Sequence, residues 1–369
     1  MLLDEEKIEV DEEKNKTISF TTNSMMRTIS MEGIYTTGES TGTQEVGNYT
    51  SAINYDWSYI RENGNEIAFT PKDKIKNSFV VPGMKKTNVK GNICDDMVPQ
   101  GITYYDGYFF ISAYCGWIKN DVSEHDSVIY VIDGASKKLI TTLVLAKMKD
   151  EKRTPHAGGI ACVNNYLWVG ATEELHCYKY SEIKELISYA KQNTNVKCID
   201  LSKYTYYRID VSVGNASFMS DLDNKYLCVG EYKENENGKL IFYYPTPKNA
   251  DNNAHIADIS VCLKREIPPK AQGVEFYNSN NYTYMLITTS IGTDDKSRIY
   301  VYVATGTGGV GYGTLTNTKT INLPRYLEEV VTVGDKTYLI FESCAKLYRY
   351  TTTDVIGRVC GFETAFIYK

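Results

Sequence analysis

Five segments of this 369-residue chain repeat one pattern at a nearly constant spacing. In each segment a short apolar run is followed by a polar turn, and a tyrosine then opens a second apolar run. The segments are VPQGITYYDGYFFIS (98–112), HAGGIACVNNYLWVG (156–170), GNASFMSDLDNKYLCVG (214–230), KAQGVEFYNSNNYTYMLIT (270–288) and YLEEVVTVGDKTYLIFE (326–342). A period held over five copies restricts the chain to a repeat fold.

Two independent anchors hold this period. The first recurs every 56 to 58 residues, at Gln100, Gly158, Ala216, Gln272 and Glu328. The second recurs every 54 to 60 residues, at Tyr108, Tyr166, Tyr226, Tyr284 and Tyr338. Each copy continues with a third alternating segment, such as SVIYVID or SRIYVYV, and most continue with a fourth. Four short strands in about 57 residues are typical of a propeller blade, so we predict an all-β β-propeller.

The last copy is too short for a whole blade, because only 41 residues follow Glu328. An open blade would leave an unpaired edge strand. We therefore predict that NSFVVPG (77–83) closes a ring of five blades over residues 77–369. Residues 1–76 do not fit the repeat, and we expect a Ser/Thr-rich tether or strap, or part of a sixth, degenerate blade. The spacing of SEIKELISYAKQ (181–192) predicts a helical insertion.

Charge and hydropathy exclude several classes of partner. The net charge of −6 argues against nucleic acid, because no basic face is available to replace phosphate counterions. No apolar run approaches the ~20 residues of a membrane-spanning helix. The first residues carry no signal-peptide pattern. The chain is therefore expected either to be cytoplasmic or to be an extracytoplasmic protein whose signal peptide has been removed. We also expect it to be a monomer.

The nine cysteines show no CxxC and no Cys/His spacing typical of zinc, so the spacing predicts no metal framework. Ring closure would bring the strand ends at Cys115 and Cys344 to adjacent blades. That pair is a candidate disulfide, and Cys94 with Cys360 is an equal alternative.

The first strand of each propeller blade lines the central axis, so the aligned positions name candidate site residues. The second aligned position reads Gly101, Gly159, Ser217, Gly273 and Glu329. The small residues are expected to let backbones converge on the axis. Glu329, with Glu328 and His156, is the candidate catalytic set, as a general base or metal ligand. The alternatives are an ion pair of Glu329 with Arg153, Lys270 or Arg325, and a structural hydrogen bond for His156.

The loops that enter the first strands share one mouth of the axis with the loops that follow the second strands. Candidate ligand-binding residues at that mouth are Gln100, Asn215, Ser217, Gln272, Arg325, Tyr326 and Arg153.

The motifs VPQGITYYDGYFFISAY and PHAGGIACVNNYLWVGA resemble a group of uncharacterised bacterial propellers, many of them secreted. The resemblance covers about residues 98–171 well and implies a propeller in an extracytoplasmic setting. More distantly, the chain is similar to lactonase and gluconolactonase-type propellers, which hold a divalent cation at the axis. That resemblance implies Glu329 and Asn215 as ligands of a cation such as Ca²⁺, although no aspartate on a first strand completes the set.

Two functions follow as expectations. The first is a propeller that binds a glycan, a peptide or a surface partner at its mouth, where tyrosine-rich faces offer stacking surfaces with polar rims. The second is a lactonase-like hydrolase or lyase that uses the axial carboxylates. A purely structural cell-surface module is a further alternative, because propellers host many unrelated activities.

Overall fold

The computed structural model describes residues 32–36, 75, 77–119, 122–279, 282–290, 296–305, 310, 313–350, 352 and 355–368, together with the strand backbone of 17–22, 25–30, 60–62 and 65–67. Within this part the chain is all-β apart from two α-helices and a short 3₁₀ turn.

Short strands precede the repeats. They are β1 (Thr17–Thr22), β2 (Met25–Ser30), β3 (Ile34–Tyr35), β4 (Ile60–Glu62), β5 (Asn65–Ile67), β6 (Phe79–Val80), β7 (Thr87–Val89) and β8 (Asn92–Cys94). β1 pairs with β2, and β7 pairs with β8. β3 and β4 join the outer edges of two of the repeat sheets, and β6 is taken up by a third.

The first two repeats contain the strands β9 (Met97–Tyr105), β10 (Tyr108–Cys115), β11 (Ile118–Lys119), β12 (Val122–Ser123), β13 (Val128–Asp133), β14 (Leu139–Val144), β15 (Ile160–Val163), β16 (Tyr166–Gly170), β17 (Thr172–Lys179), β18 (Cys198–Asp200) and β19 (Tyr206–Asn215). The remaining repeats contain β20 (Phe218–Leu222), β21 (Tyr226–Gly230), β22 (Gly238–Asp251), β23 (Ile256–Ile267), β24 (Ala271–Ser279), β25 (Tyr282–Thr289), β26 (Ser297–Thr305), β27 (Thr314–Leu323), β28 (Leu327–Val333), β29 (Lys336–Phe341) and β30 (Arg358–Glu363).

These strands pair as antiparallel four-stranded units. Four units are built in chain order, as β9-β10-β13-β14, β15-β16-β17-β19, β20-β21-β22-β23 and β24-β25-β26-β27. The unit β28-β29-β30 takes its outer strand from β6, where Val80 pairs with Arg358 and Phe79 with Val359. The closing strand thus lies within the predicted segment 77–83.

The first strands of these units contact one another in a closed cycle: β9 contacts β15, β15 contacts β20, β20 contacts β24, β24 contacts β28, and β28 returns to β9. Sheets arranged around a shared axis by their first strands form a propeller. The core lies between neighbouring sheets, where apolar faces pack in separate clusters.

The close approach at the axis explains the small residues of the repeat. A Cβ atom built on Gly159 would lie 2.4 Å from the main-chain nitrogen of Met219. On Gly273 it would lie 2.4 Å from a carboxyl oxygen of Glu329. These glycines are packing positions, as predicted.

The helix α1 (Tyr180–Gln192) follows β17 in the interval where a helical insertion is predicted. Its buried face includes Ile183, Leu186, Ile187 and Ala190, at spacings of three and four residues. After α1, β18 pairs in parallel with β14 of the preceding unit, so the insertion covers the outer edge of that sheet. The second helix, α2 (Thr364–Tyr368), ends the described chain.

Candidate functional site

The starts of the first strands and the ends of the second strands meet at one end of the axis, which we call the mouth. Gly116 N–H donates to the Asp96 carbonyl over 2.7 Å, and Glu342 N–H donates to the Tyr326 carbonyl over 3.0 Å. The loops that follow the second strands therefore stand beside the loops that enter the first strands, as the repeat predicts.

Glu329 lies in the wall of the axis, with none of its surface exposed. One carboxyl oxygen accepts from Val274 N–H (3.0 Å) and Val330 N–H (3.1 Å), and the other accepts from Met219 N–H (3.3 Å). Burial raises the pKa of Glu329 well above its ordinary range, although the three N–H groups act in the opposite direction. The carboxyl therefore links three first strands to one another.

This geometry corrects one alternative for Glu329. Among the described residues no lysine or arginine forms an ion pair with it, so the predicted partnership with Arg153, Lys270 or Arg325 is wrong. Its oxygens accept from main-chain N–H groups, and the side chain has no exposed surface.

Glu328, the preceding residue, forms a carboxyl pair with Glu342 from the end of β29. The charge of Glu342 adds to the effect of burial on Glu328, because neighbouring like charges disfavour ionisation. Burial raises the pKa of Glu342 to about 8 and raises the pKa of Glu328 well above its ordinary range. At neutral pH the pair holds at least one proton.

Two amide side chains from other units extend this pair. Gln100 Nε2 donates to Glu342 over 3.0 Å, and Gln272 Nε2 donates to Glu328 over 3.4 Å. The first aligned position of three units thus converges on one polar group, the axial cluster, made of Gln100, Gln272, Glu328 and Glu342. Its members can accept or supply a proton and can hydrogen-bond a polar ligand.

Aromatic rings stand beside the axial cluster. Tyr348 packs against the cluster that contains Tyr114, and burial raises the pKa of both phenols. The His156 ring lies on Tyr114 with centroids 4.1 Å apart. His156 keeps exposed surface, yet desolvation lowers its pKa to about 4. His156 therefore lies at the mouth with part of its ring open to solvent.

The loops that follow β10 and β29 carry large apolar side chains into solvent. Trp117 is 53% exposed, Ile118 56%, Leu347 43% and Tyr350 75%. Lys346, in the loop after β29, contacts the loop after β10, because its ammonium lies 5.7 Å from the Trp117 ring centroid. The same ammonium lies 2.8 Å from an oxygen of Asp95, in the loop before β9. We call the four apolar residues the rim. Large apolar side chains exposed in two neighbouring loops make the rim a candidate binding surface.

The other predicted site residues are dispersed. Asn215 is exposed at the end of β19, and Ser217 accepts a hydrogen bond from Tyr232 N–H over 3.2 Å. Arg153 is exposed and forms an ion pair with Asp150. Tyr326 is buried against Tyr348, with centroids 4.9 Å apart.

Arg325 is half-buried next to Tyr326. Of the ligand-binding predictions, the structure therefore brings only Gln100 and Gln272 to the carboxyl pair through direct hydrogen bonds among the described residues.

All nine cysteines are free thiols. Neither the Cys115–Cys344 nor the Cys94–Cys360 disulfide is formed, so those pairings are wrong for this structure. Instead Cys94 Sγ lies 3.6 Å from Cys115 Sγ.

Sequence reasoning missed Glu342. Four residues after the tyrosine anchor the repeats read Ser112, Gly170, Gly230, Thr288 and Glu342. A carboxylate among small residues is the same signal that singled out Glu329, and reading this second column would have found it.

Comparisons with known proteins are distant. No family model matches the chain, and no curated protein matches it. Among solved structures it is similar to Myxococcus xanthus glutaminyl cyclase, at 10% identity and a TM-score of 0.38, over 77% of this chain and 94% of that one. It is also similar to S. cerevisiae dbp5 bound to nup159, gle1, IP6 and ADP, at 11% identity and a TM-score of 0.31, over 64% of this chain and 55% of that one. Similarity at these scores carries no inference about activity.

No helix among the described residues is long and apolar enough to cross a membrane.

Proposed function

We propose that the protein is a five-bladed β-propeller that binds a peptide segment at its mouth. The closed cycle of first strands supports five blades over six. The observation that carries the binding function is the rim, whose four large side chains are exposed beside the axial cluster. An extracytoplasmic setting is part of the proposal and rests on the sequence resemblance alone.

The composition of the rim favours a peptide over a glycan. Aromatic rings stack on sugars, but the exposed aliphatic side chains of Ile118 and Leu347 add nothing to a sugar platform. Apolar anchors of a peptide would pack on all four rim residues. The amides of Gln100 and Gln272, with the carboxyl pair, would hydrogen-bond its main chain.

The test is selection of a displayed random-peptide library on the immobilised protein. We expect enriched peptides with apolar anchors. Replacing Trp117 by alanine is expected to weaken their affinity about thirtyfold, the change expected for a central aromatic anchor. Tyr282→Ala is the matched control, because Tyr282 is 52% exposed on β25.

Two results would overturn this proposal. One is enrichment of no peptide together with binding on a glycan array. The other is equal weakening of peptide binding by Trp117→Ala and Tyr282→Ala.

A second candidate is an acid–base enzyme, favoured by the buried carboxyls of Glu328 and Glu342, whose pKa values are raised. A carboxyl with a pKa of about 8 can supply a proton at neutral pH. Hydrolysis of lactones, esters and peptides is the assay. Activity that Glu342→Gln abolishes, and that exposed Glu266→Gln leaves intact, supports this candidate.

The axial cation site with Glu329 and Asn215 stays a prediction. Its test is thermal melting of wild type and Glu329→Gln with EDTA and with excess Ca²⁺. A folded-state ligand raises the melting temperature by mass action. A rise in wild type that is absent from the variant supports the site, and no rise in either argues against it.

A further inference from the structure

Three potential metal ligands meet beneath the rim. Cys94 ends β8, Cys115 ends β10, and His125 lies in the loop between β12 and β13. Their ligand atoms all lie within 4.8 Å of one another. Among the described residues no other group of three or more His, Cys, Asp or Glu side chains has this geometry.

Two of the three ligand–ligand distances match the edges of a metal tetrahedron. Bonds of about 2.3 Å to sulfur and about 2.0–2.1 Å to nitrogen give edges of about 3.8 Å between two sulfurs and about 3.6 Å between sulfur and nitrogen. The observed Cys94 Sγ to Cys115 Sγ distance is 3.6 Å. Cys115 Sγ to His125 Nδ1 is 3.8 Å. A disulfide would need the two sulfurs to approach to about 2.05 Å and would leave the imidazole without a role.

Charge and donor type point to the same ion. Both thiols are buried, and two thiolates with one divalent cation form a group with no net charge, which reduces the cost of burial. Sulfur and imidazole donors in a tetrahedral arrangement suit Zn²⁺.

We propose that Cys94, Cys115 and His125 bind Zn²⁺, with the fourth position open on the side of the half-buried His125. Binding releases the two thiol protons to solvent, and no electron is transferred.

The site would fasten three segments that the sequence keeps apart. β8 precedes the first repeat, β10 belongs to it, and His125 follows Glu124, whose N–H donates to the Trp117 carbonyl over 2.9 Å. The ion would therefore hold the loop that carries two rim residues. Zn²⁺ binding at this position is independent of what the rim binds.

The test titrates the reduced full-length protein with Co²⁺, whose thiolate complexes absorb light, and then displaces Co²⁺ with Zn²⁺. We expect one Co²⁺ per chain, with the thiolate-to-cobalt absorption band lost in Cys94→Ser and Cys115→Ser. His125→Gln is expected to weaken Co²⁺ affinity at least about tenfold, since even changes next to a ligand cost that much. Zn²⁺ is expected to raise the melting temperature of wild type only.

Cys344→Ser is the matched control, because Cys344 is a buried thiol of the same apolar cluster. It should bind Co²⁺ like wild type. His125→Gln provides a readout even if the buried serine variants fail to fold, since His125 is only half-buried. The proposal is overturned if reduced wild type shows no thiolate band, or if His125→Gln binds Co²⁺ as tightly as wild type. A Cys94–Cys115 disulfide in protein that binds no Co²⁺ after reduction would assign the pair to redox chemistry instead.

Discussion

At the residue scale, the carboxylates of the last repeat stand where the other repeats have small residues. Glu329 replaces a glycine or serine at the second aligned position, and Glu342 replaces a glycine, serine or threonine at the end of the second strand. Both are buried, but their hydrogen-bond partners differ: Glu329 accepts from main-chain N–H groups, and Glu342 accepts from the Gln100 amide. Glu329 therefore holds the first strands together, whereas Glu342 is a titratable group with a raised pKa.

Replacing Glu342 by glutamine should flatten the dependence of stability on pH. The folded pKa of about 8 lies above the ordinary value of 4.5. Between these values the folded state binds more protons, so wild-type stability falls as pH rises. The variant stays neutral, and its slope should be smaller by up to about 1.4 kcal/mol per pH unit. Urea unfolding between pH 4.5 and about pH 8 measures this slope of stability against pH, with Glu266→Gln as control. Parallel profiles of variant and wild type would contradict the raised pKa of Glu342.

Glu329→Gln should reduce the free energy of unfolding by about 1–3 kcal/mol, because an amide nitrogen would then face a main-chain N–H donor. Glu329→Ala should cost more, because it leaves three N–H groups unpaired and adds a void. Chemical denaturation measures both. A loss of unfolding free energy no larger than the ~0.5 kcal/mol of a neutral surface change such as Glu266→Gln would show that the Glu329 carboxyl does not stabilise the contact between the first strands.

At the element scale, the two-residue strand β6 completes the last sheet. Phe79 is buried with its ring centroid 5.1 Å from that of Phe109 and 6.2 Å from that of Tyr338. It therefore packs against both the first and the last unit. Phe79→Ala is expected to destabilise the protein by about 3–5 kcal/mol. The control is Tyr282→Ala, whose ring is largely exposed. If the two substitutions differ by less than about 1 kcal/mol in their effect on the free energy of unfolding, closure of the propeller does not depend on the Phe79 side chain.

The strands of the repeats could be predicted because their signal is periodic. Each tyrosine anchor opens or lies within an observed second strand, and the shortage of residues after Glu328 pointed to a strand from upstream. The additions of β3 and β18 to the outer edge of one sheet could not be predicted in this way. Such short pairings depend on which sheet edges remain open, which is a property of the folded structure.

The candidate site was predictable only where alignment placed residues in one column. Gln100, Gln272 and Glu328 share a column and meet at the axis. The Cys94, Cys115 and His125 group has no recognisable spacing, because its members come together through sheet pairing. The position of Glu329 was predicted correctly, but its partners were not, because main-chain N–H groups are invisible in a sequence.

At the scale of the whole molecule, the ring is closed by pairing β6, which precedes the repeats, with the last strand, β30. We predict that a chain beginning at residue 75, which loses β3 and β4 but keeps β6, aggregates less than one beginning at residue 83, which loses all three strands. The second chain leaves the β30 edge unpaired. Size-exclusion chromatography and circular dichroism measure the outcome. If the shorter chain is monodisperse and folded, another element must cover that edge.

Closure also sets the order in which the chain can be completed. The Arg358 guanidinium donates to Ser78 across 280 residues of sequence. Bringing ends this far apart together costs about 5 kcal/mol of chain entropy beyond a constant, on the logarithmic scaling of loop closure. During synthesis from the amino terminus, β6 cannot pair until β30, near the other end of the chain, has been made. Sheets built from neighbouring segments can form first, so the last contact to form should be the one that seals the ring.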